Sequence, residues 1–121
     1  MFISPSMLDR IYQRGSLKNI DGGFEFKLKN MVDNGTLSGV KSLTLAGTEL
    51  PLSAVRLQTS AGEKLAEEIS YRSPLPLYYN TEATVRVTGQ TLAVGTHTLV
   101  LTISVYEVGA LQLKVSDEVL E

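Results

Sequence analysis

The side chains able to do chemistry are few in this sequence, and their spacing assembles no reactive site. His97 is the only histidine, and it follows Gly95-Thr96 at the start of an alternating run. An imidazole titrates near neutral pH and could act as a base, but no nucleophile with an orienting carboxylate stands beside it. We therefore favour a half-buried histidine that caps a strand through a backbone hydrogen bond.

The acidic pairs Glu67-Glu68 and Asp117-Glu118 offer no acid–base couple. Neighbouring residues of a strand point to opposite faces, so both pairs are better interpreted as solvated. The absence of cysteine excludes disulfides and thiolate sites, and no ligands stand at a spacing diagnostic of a metal site. We expect this chain to bind no metal or cofactor, and a single histidine argues against a cupin-type barrel enzyme.

Charge and hydropathy exclude further classes. Eleven basic and thirteen acidic residues give a net charge of -2, which is too small to indicate nucleic acid or an anionic membrane as a partner. No apolar run approaches the roughly 20 residues of a membrane span, and residues 1–5 lack the order of a secretory signal. We expect a soluble, cytoplasmic protein.

Apolar and polar residues alternate along the longer runs, which is typical of half-buried strands. The inward positions of these runs are Phe24, Phe26, Leu28, Val85, Val87, Leu99, Leu101, Ile103, Val105, Leu111, Leu113 and Val115. With turn residues between them, the runs predict about seven or eight strands in an all-β fold. We expect a two-sheet antiparallel sandwich, jelly-roll-like or immunoglobulin-like, formed by one domain over residues 1–121.

Turns and irregular segments are predicted from local chemistry. Asn34-Gly35 is the strongest hairpin signal and predicts a type I′ turn, whereas Ala46-Gly47 is a weaker one. Pro74 and Pro76 predict an extended edge or crossover segment. Residues 6–12 have the spacing of a short helical turn, and residues 62–69 are interpreted as irregular or helical.

Residues 1–20 are predicted to form a partly irregular N-terminal arm that is a candidate protein interface. Basic residues are interleaved with large apolar ones, a composition that is favoured at interfaces. The alternative, that the arm covers the open end of its own sandwich, stays open. The candidate contact residues of the arm are Met7, Leu8, Arg10, Ile11, Tyr12, Arg14, Lys18 and Asn19.

Tyr78-Tyr79 forms a second candidate contact surface. Each tyrosine offers a large apolar face and one polar group, which suits a protein partner, a sugar or an aromatic ligand. Ordinary packing at a sheet edge explains the pair equally well.

Four segments carry a resemblance to a known family: RGSLKN at 14–19, GGFEFKLKN at 22–30, GTHTL at 95–99 and GALQL at 109–113. Together they resemble the small β subunit of bacterial C-glycoside deglycosidases over residues 3–119. The resemblance implies a hetero-oligomer with a larger barrel-type α subunit. That α subunit carries a divalent metal, typically manganese, and the acid–base residues.

The resemblance also implies a reaction, in which the complex cleaves the carbon–carbon bond between a 3-oxo sugar and an aromatic aglycone such as a flavonoid. The ketone acidifies the neighbouring C–H, a base removes that proton, and the aglycone leaves protonated at carbon. The present chain would be a non-catalytic subunit of this carbon–carbon lyase, and no catalytic residue of the family is carried over to it. The alternative is a stand-alone carbohydrate-binding or protein-interaction sandwich.

Overall fold

The computed structural model of the protein describes residues 5–120, with side chains from Met7 onward. Its elements are one short helix, two 3-10 turns and ten strands within that range. They are α1 (Pro5–Asp9), β1 (Lys18–Ile20), β2 (Gly23–Lys29), β3 (Gly35–Leu45), β4 (Thr48–Glu49), a 3-10 turn (Leu52–Ala54), β5 (Val55–Thr59), β6 (Gly62–Leu65), a 3-10 turn (Ala66–Glu68), β7 (Leu75–Leu77), β8 (Glu82–Thr88), β9 (Gly95–Val105) and β10 (Gly109–Val119). Residues 1–4 of the predicted arm lie outside the described residues.

The strands form two antiparallel sheets, which confirms the predicted two-layer sandwich. The first sheet has the order β1-β2-β8-β5-β6, and the second has the order β10-β9-β3-β4. Strand β7 also pairs with β3, at Gly35 to Leu37, so the outer edge of β3 is shared by two short strands. Within the described residues no helix has the length and apolarity that a bilayer crossing demands.

The core lies between the sheets and includes the alternate residues that the sequence predicted, together with buried residues that it did not, such as Leu37, Val55 and Leu75. Phe24, Phe26, Leu99 and Val85 have no exposed surface, and burying an apolar side chain of this kind contributes about 1.5–3 kcal/mol. Of the predicted inward positions only Leu111 stays half-buried, although it still packs against the core.

Glu25 departs from the predicted pattern, because it occupies a solvent-side position of β2 and is nevertheless buried. Arg86, its neighbour on β8, places Nε 3.3 Å from Glu25 Oε1 and donates from Nη1 to Gln58 Oε1 at 2.7 Å. A buried carboxylate is tolerated when it is paired in this way. The pairing joins residues that are 61 positions apart, so the alternation of β2 alone does not reveal it.

The predicted type I′ turn at Asn34-Gly35 is wrong. Gly35 is the first residue of β3, and the chain passes here from the first sheet to the second instead of folding back. The two successive positive φ values that a type I′ turn needs occur at Ala46 (51°) and Gly47 (83°), between β3 and β4. A two-residue turn that the sequence analysis missed, Asp21-Gly22, joins β1 to β2.

The other local predictions are confirmed in part. The irregular or helical structure predicted for residues 62–69 is wrong for Gly62–Leu65, which pair with β5 as a strand. Helix α1 overlaps the expected helical turn of residues 6–12 at residues 6–9, and a 3-10 turn at Ala66–Glu68 follows the short strand β6. The proline segment forms the edge strand β7, in which Pro76 stands opposite Thr36. Prolines lack a backbone donor, so they are confined to such edges.

Alanine substitutions at two glycines, Gly35 and Gly23, test how closely the strands pack at these positions. Alanine at Gly35 would place its Cβ 3.5 Å from Val105 Cγ1, an ordinary contact at a position with φ outside the left-handed region. We expect Gly35→Ala to stabilise the protein by about 0.4–1 kcal/mol, because it reduces the entropy of the unfolded chain. Urea denaturation followed by circular dichroism measures this change.

Gly23→Ala is the matched comparison and should behave in the opposite way. Its Cβ would lie 1.9 Å from the Val87 carbonyl oxygen, so β2 and β8 would have to separate. We expect a loss of at least about 2 kcal/mol, at the upper end of overpacking costs. Equal stability of the two variants would show that this description of the β2–β8 contact is wrong.

Candidate functional site

The apolar part of the predicted interface arm packs on its own sandwich. Leu8, Ile11 and Tyr12 are half-buried and contact the core. Tyr12 also forms a bridge with Leu28, and the Lys29 N–H donates to the Ile11 carbonyl at 2.7 Å. The arm thereby extends the first sheet along the outer edge of β2. Of the two alternatives for the arm, self-cover describes these residues.

A hydrogen-bond cluster, here called the latch, ties the arm to the second sheet. The Tyr12 hydroxyl donates to Asp117 Oδ2 at 2.5 Å, and the Gly15 N–H donates to the same oxygen at 2.7 Å. The Leu17 N–H in turn donates to the Tyr12 hydroxyl at 3.2 Å. Because the arm pairs with β2 and Asp117 belongs to β10, the latch joins the edges of the two sheets.

The latch shifts the pKa of both side chains. Burial and the hydrogen bond to Asp117 raise the pKa of Tyr12 to about 12. Burial by itself would raise the pKa of Asp117, but hydrogen bonds from Tyr12, Gly15 and Glu118, together with the charge of Arg14, hold it below its usual range. Each group therefore keeps the protonation state that the hydrogen bond needs over the whole neutral range.

The other predicted arm residues are distributed over the surface. Met7 is half-buried in α1, and Arg10, Arg14 and Lys18 are exposed. Apart from the effect of Arg14 on Asp117, these three cations form no ion pair within 4.0 Å among the described residues. They remain a prediction of a contact surface rather than a site with a defined geometry.

Asn19 and His97 hold the loop at residues 89–94. Asn19 Nδ2 donates to the Leu92 carbonyl at 2.8 Å, and its Oδ1 accepts from the Leu92 N–H at 2.7 Å. His97 Nε2 lies 2.7 Å from the Ala93 carbonyl; a carbonyl only accepts, so this nitrogen carries the proton. The expected structural role of His97 is confirmed.

The acidic pairs form no reactive cluster. Glu67, Glu68 and Glu118 are exposed, and Glu68 Oε1 accepts from the Leu65 N–H at 3.3 Å, where the 3-10 turn begins. Over residues 5–120, no three His, Asp or Glu side chains come together as metal ligands.

Most of the large apolar side chains that the described residues expose lie at one end of the sandwich. This tyrosine end is formed by residues 30–34, 78–81 and 106–108, which connect strand ends of both sheets. Its exposed members are Met31, Tyr78, Tyr79 and Tyr106, with Tyr71 stacked on Tyr106. The two predicted residues Tyr78 and Tyr79 are 50% and 52% exposed.

Two asparagines fix the backbone that presents Tyr78 and Tyr79. The Asn30 side chain donates to the carbonyls of Asp33 and Leu77 at 2.7 and 2.9 Å. Asn34 Oδ1 accepts from the Tyr79 N–H at 2.8 Å. The loops therefore hold each other, and the aromatic rings stand in solvent on an ordered backbone.

Tyr71 and Tyr106 form an exposed pair that the sequence analysis missed. Their ring centroids are 4.9 Å apart with a tilt of 37°, and the Tyr71 hydroxyl donates to the Tyr106 hydroxyl at 2.7 Å. This hydrogen bond raises the pKa of Tyr71. The two residues are 35 positions apart, and no local pattern links them; only the position of Tyr106 directly after a strand was visible in the sequence.

A narrow apolar cleft opens between the sheets at the tyrosine end. Its volume is about 90 Å³, and most of its lining is aliphatic. Among the half-buried lining residues are Ile11, Val32, Leu77, Val108 and Leu111. The polar lining residues are Asn30, Asp33, Thr59, Thr81 and Glu82. The alternating pattern predicted the strands that form this cleft, but not that the core is incomplete there.

The latch can be tested by Tyr12→Phe. The variant removes the donor to Asp117 and the acceptor for the Leu17 N–H, so we expect a loss of about 1–2 kcal/mol at pH 7. Because the folded-state pKa of Asp117 is depressed, its contribution is present above its ordinary pKa of 3.8 and is lost as the pH falls further. Urea denaturation at pH 7 and pH 3 should show a smaller difference from wild type at pH 3.

Tyr78→Phe is the control, because the Tyr78 hydroxyl makes no hydrogen bond with the described residues. It should leave stability unchanged at both pH values. A Tyr12→Phe penalty that is the same at pH 7 and pH 3 would exclude the ionised carboxylate as the source of the effect. At high pH the contribution of Tyr12 should be present below pH 10.0 and disappear towards its folded-state pKa of about 12.

Comparison with known proteins corrects the resemblance to C-glycoside deglycosidases, which is wrong. Each segment behind it has a left-handed glycine at or shortly before the start of a strand: Gly15, Gly22, Gly95 and Gly109 all have positive φ. Many antiparallel sandwiches need such segments.

No curated protein matches the chain. The model of the hydroxymethylglutaryl-CoA reductase N-terminal domain matches residues 7–120. The chain thus belongs to the family of the hydroxymethylglutaryl-CoA reductase N-terminal domain.

Proposed function

We propose that this chain is a non-catalytic β-sandwich domain that docks onto a catalytic polypeptide through its tyrosine end. The observation that carries the proposal is the clustering of exposed apolar side chains. Five of the seven large ones found among the described residues are Met31, Tyr71, Tyr78, Tyr79 and Tyr106. Aromatic residues and methionine are enriched in the buried centres of protein interfaces.

The state of the reactive groups supports a non-catalytic role. His97 is committed to a backbone carbonyl, and the best-buried carboxylate, Glu25, is committed to Arg86. Asp117 is held by three hydrogen-bond donors of this chain. A general base must reach a substrate proton, and none of these groups is free to do so.

The order of the tyrosine end supports docking. The backbone of residues 78–81 is fixed by Asn30 and Asn34, so little backbone entropy remains to be lost on association. Each tyrosine buries a large area at the cost of two side-chain torsions. A surface of this kind can therefore bind without a folding transition.

For the partner we propose the catalytic part of a reductase, because the matched family is described as the N-terminal domain of hydroxymethylglutaryl-CoA reductase. The manganese-carrying barrel subunit, the 3-oxo-glycoside substrate and the lyase reaction were implied only by the corrected resemblance. Because that resemblance is wrong, nothing now supports this partner, this substrate or this reaction.

The double variant Tyr78→Ser/Tyr79→Ser tests the docking surface. We expect the purified chain to bind the catalytic part of a hydroxymethylglutaryl-CoA reductase encoded in the same genome. The double variant should bind at least tenfold more weakly, because interface aromatics dominate binding energy. Isothermal titration calorimetry measures both affinities, and circular dichroism checks that the variant is folded.

Val94→Ser/Leu120→Ser is the matched control. Both residues are exposed and apolar, but they flank Gly95 and Val119, which pair at the opposite end of the β9–β10 hairpin. This variant should bind as the wild type does. Reduction of hydroxymethylglutaryl-CoA by the isolated chain, or no complex at all with the reductase, would overturn the proposal.

The exposed pair Tyr71–Tyr106 favours a second candidate, a stand-alone carbohydrate-binding sandwich. Sugar rings stack on aromatic faces, and both rings are more than half exposed. Against this candidate, Phe24 and Phe26 are fully buried, and the two tyrosines are tilted rather than coplanar.

Titrating the isolated chain with oligosaccharides, followed by tyrosine fluorescence, separates the two candidates. We expect no binding, because a tilted pair offers no continuous platform for a sugar. Binding that is lost in Tyr106→Ser and kept in Tyr78→Ser would favour the carbohydrate module instead.

A further inference from the structure

The cleft at the tyrosine end combines an apolar interior with an acidic mouth. Its inner wall includes Leu28, Leu57, Leu101 and Ile103 from both sheets. Two carboxylates, Asp33 and Glu82, line it as well, and both are exposed. No lysine or arginine is among the described lining residues.

The three uncharged polar residues of the lining already make hydrogen bonds within the chain. Thr59 Oγ1 accepts from the Ala61 N–H at 3.1 Å. The Asn30 amide donates to the Asp33 and Leu77 carbonyls, and its oxygen accepts from the Val32 N–H. The Thr81 hydroxyl donates to the Tyr78 carbonyl at 2.6 Å. The two carboxylates are the only charged groups in the described lining, so a charged head of a ligand would bind to them.

Both carboxylates retain acceptor capacity. Asp33 Oδ1 accepts from the Asn34 N–H at 2.7 Å, and its second oxygen has no partner within the described chain. The Glu82 side chain makes no hydrogen bond or ion pair there, although Glu82 stands opposite Lys29 in the β2–β8 pairing. Neither carboxylate has a cation within 4.0 Å among the described residues. Two such acceptors beside an apolar cleft favour a ligand with a positive head and a hydrocarbon tail.

We infer that the cleft binds a free, unbranched aliphatic ammonium compound, with the hydrocarbon tail between the sheets and the ammonium head at Asp33 and Glu82. The inference does not rest on the docking proposal, although Asp33 belongs to the tyrosine end. The volume of about 90 Å³ is smaller than the roughly 150 Å³ of an engineered cavity that takes up benzene. A slender chain of about four methylene groups therefore suits the cleft better than an aromatic ring.

The polarity of the site distinguishes this ligand from a lysine side chain of a partner. A lysine entering from outside would carry its ammonium group first into the aliphatic interior, where an unpaired charge is strongly unfavourable. A free alkylammonium can enter tail first and leave its head at the mouth.

The test is a titration of the ¹⁵N-labelled full chain with hexylammonium, 1-hexanol and hexanoate, followed by NMR chemical shifts. We expect hexylammonium to bind at least tenfold more tightly than hexanoate, with shifts at residues that line the cleft. From ethyl- to butylammonium, each added methylene should tighten binding by about fourfold. Equal binding of hexylammonium and hexanoate, or no shifts in the cleft with any compound, would overturn the inference.

Variants of the cleft wall and of the two carboxylates test separately how the hydrocarbon tail and the ammonium head of the ligand bind. Ala83→Leu places a larger side chain on the cleft wall and should weaken hexylammonium binding at least tenfold; Ala83→Val serves if the leucine variant does not fold. Ala110→Leu, at an exposed position of β10, is the control and should bind hexylammonium as the wild type does.

The double variant Asp33→Asn/Glu82→Gln removes both charges at the mouth and should make hexylammonium and hexanol bind with equal affinity. Unchanged binding by a folded Ala83 variant would exclude the cleft as the site.

Discussion

The structure depends on the burial of every second side chain between two sheets. Strands β9 and β10 each contain eleven residues, and a shift of one residue in either of them would expose its apolar side chains to water. The register from Val105–Gly109 to Gly95–Val119 is continuous along the β9–β10 hairpin. That continuity fixes which strand ends meet at each end of the sandwich, and therefore where the tyrosines and the cleft can lie.

A two-sheet sandwich has strand edges along which the gap between the sheets is open to solvent. The N-terminal arm covers one of these edges. Ile11 and Tyr12 pair with β2 of the first sheet, while Tyr12 and Gly15 bind Asp117 of the second. Unpaired strand edges invite association with other chains. The arm covers this edge of the sandwich, and it does so with the apolar residues that were predicted to contact a partner. The tyrosine end is therefore the better candidate for a contact surface.

The sequence predicted what is local and missed what depends on distant partners. Alternation along residues 99–105 was sufficient to predict β9, because each residue's face follows from its neighbours. The burial of Glu25 depends on Arg86, and the Tyr71–Tyr106 pair depends on how two loops approach each other. Asn34-Gly35 has the strongest turn preference in the chain, yet the Asn34 side chain binds the Tyr79 N–H. Tertiary contact overrode local preference there.

The mistaken resemblance follows from the same physics. Segments such as GTHTL and GALQL consist of a left-handed glycine followed by an alternating strand. This pattern indicates where a strand begins and does not indicate what the protein binds. Groups that report function are those that the fold does not need. In this chain the candidates are the rings of Tyr78 and Tyr79, which are half exposed on a backbone held by hydrogen bonds. The carboxylates of Asp33 and Glu82, which line the apolar cleft, are the others.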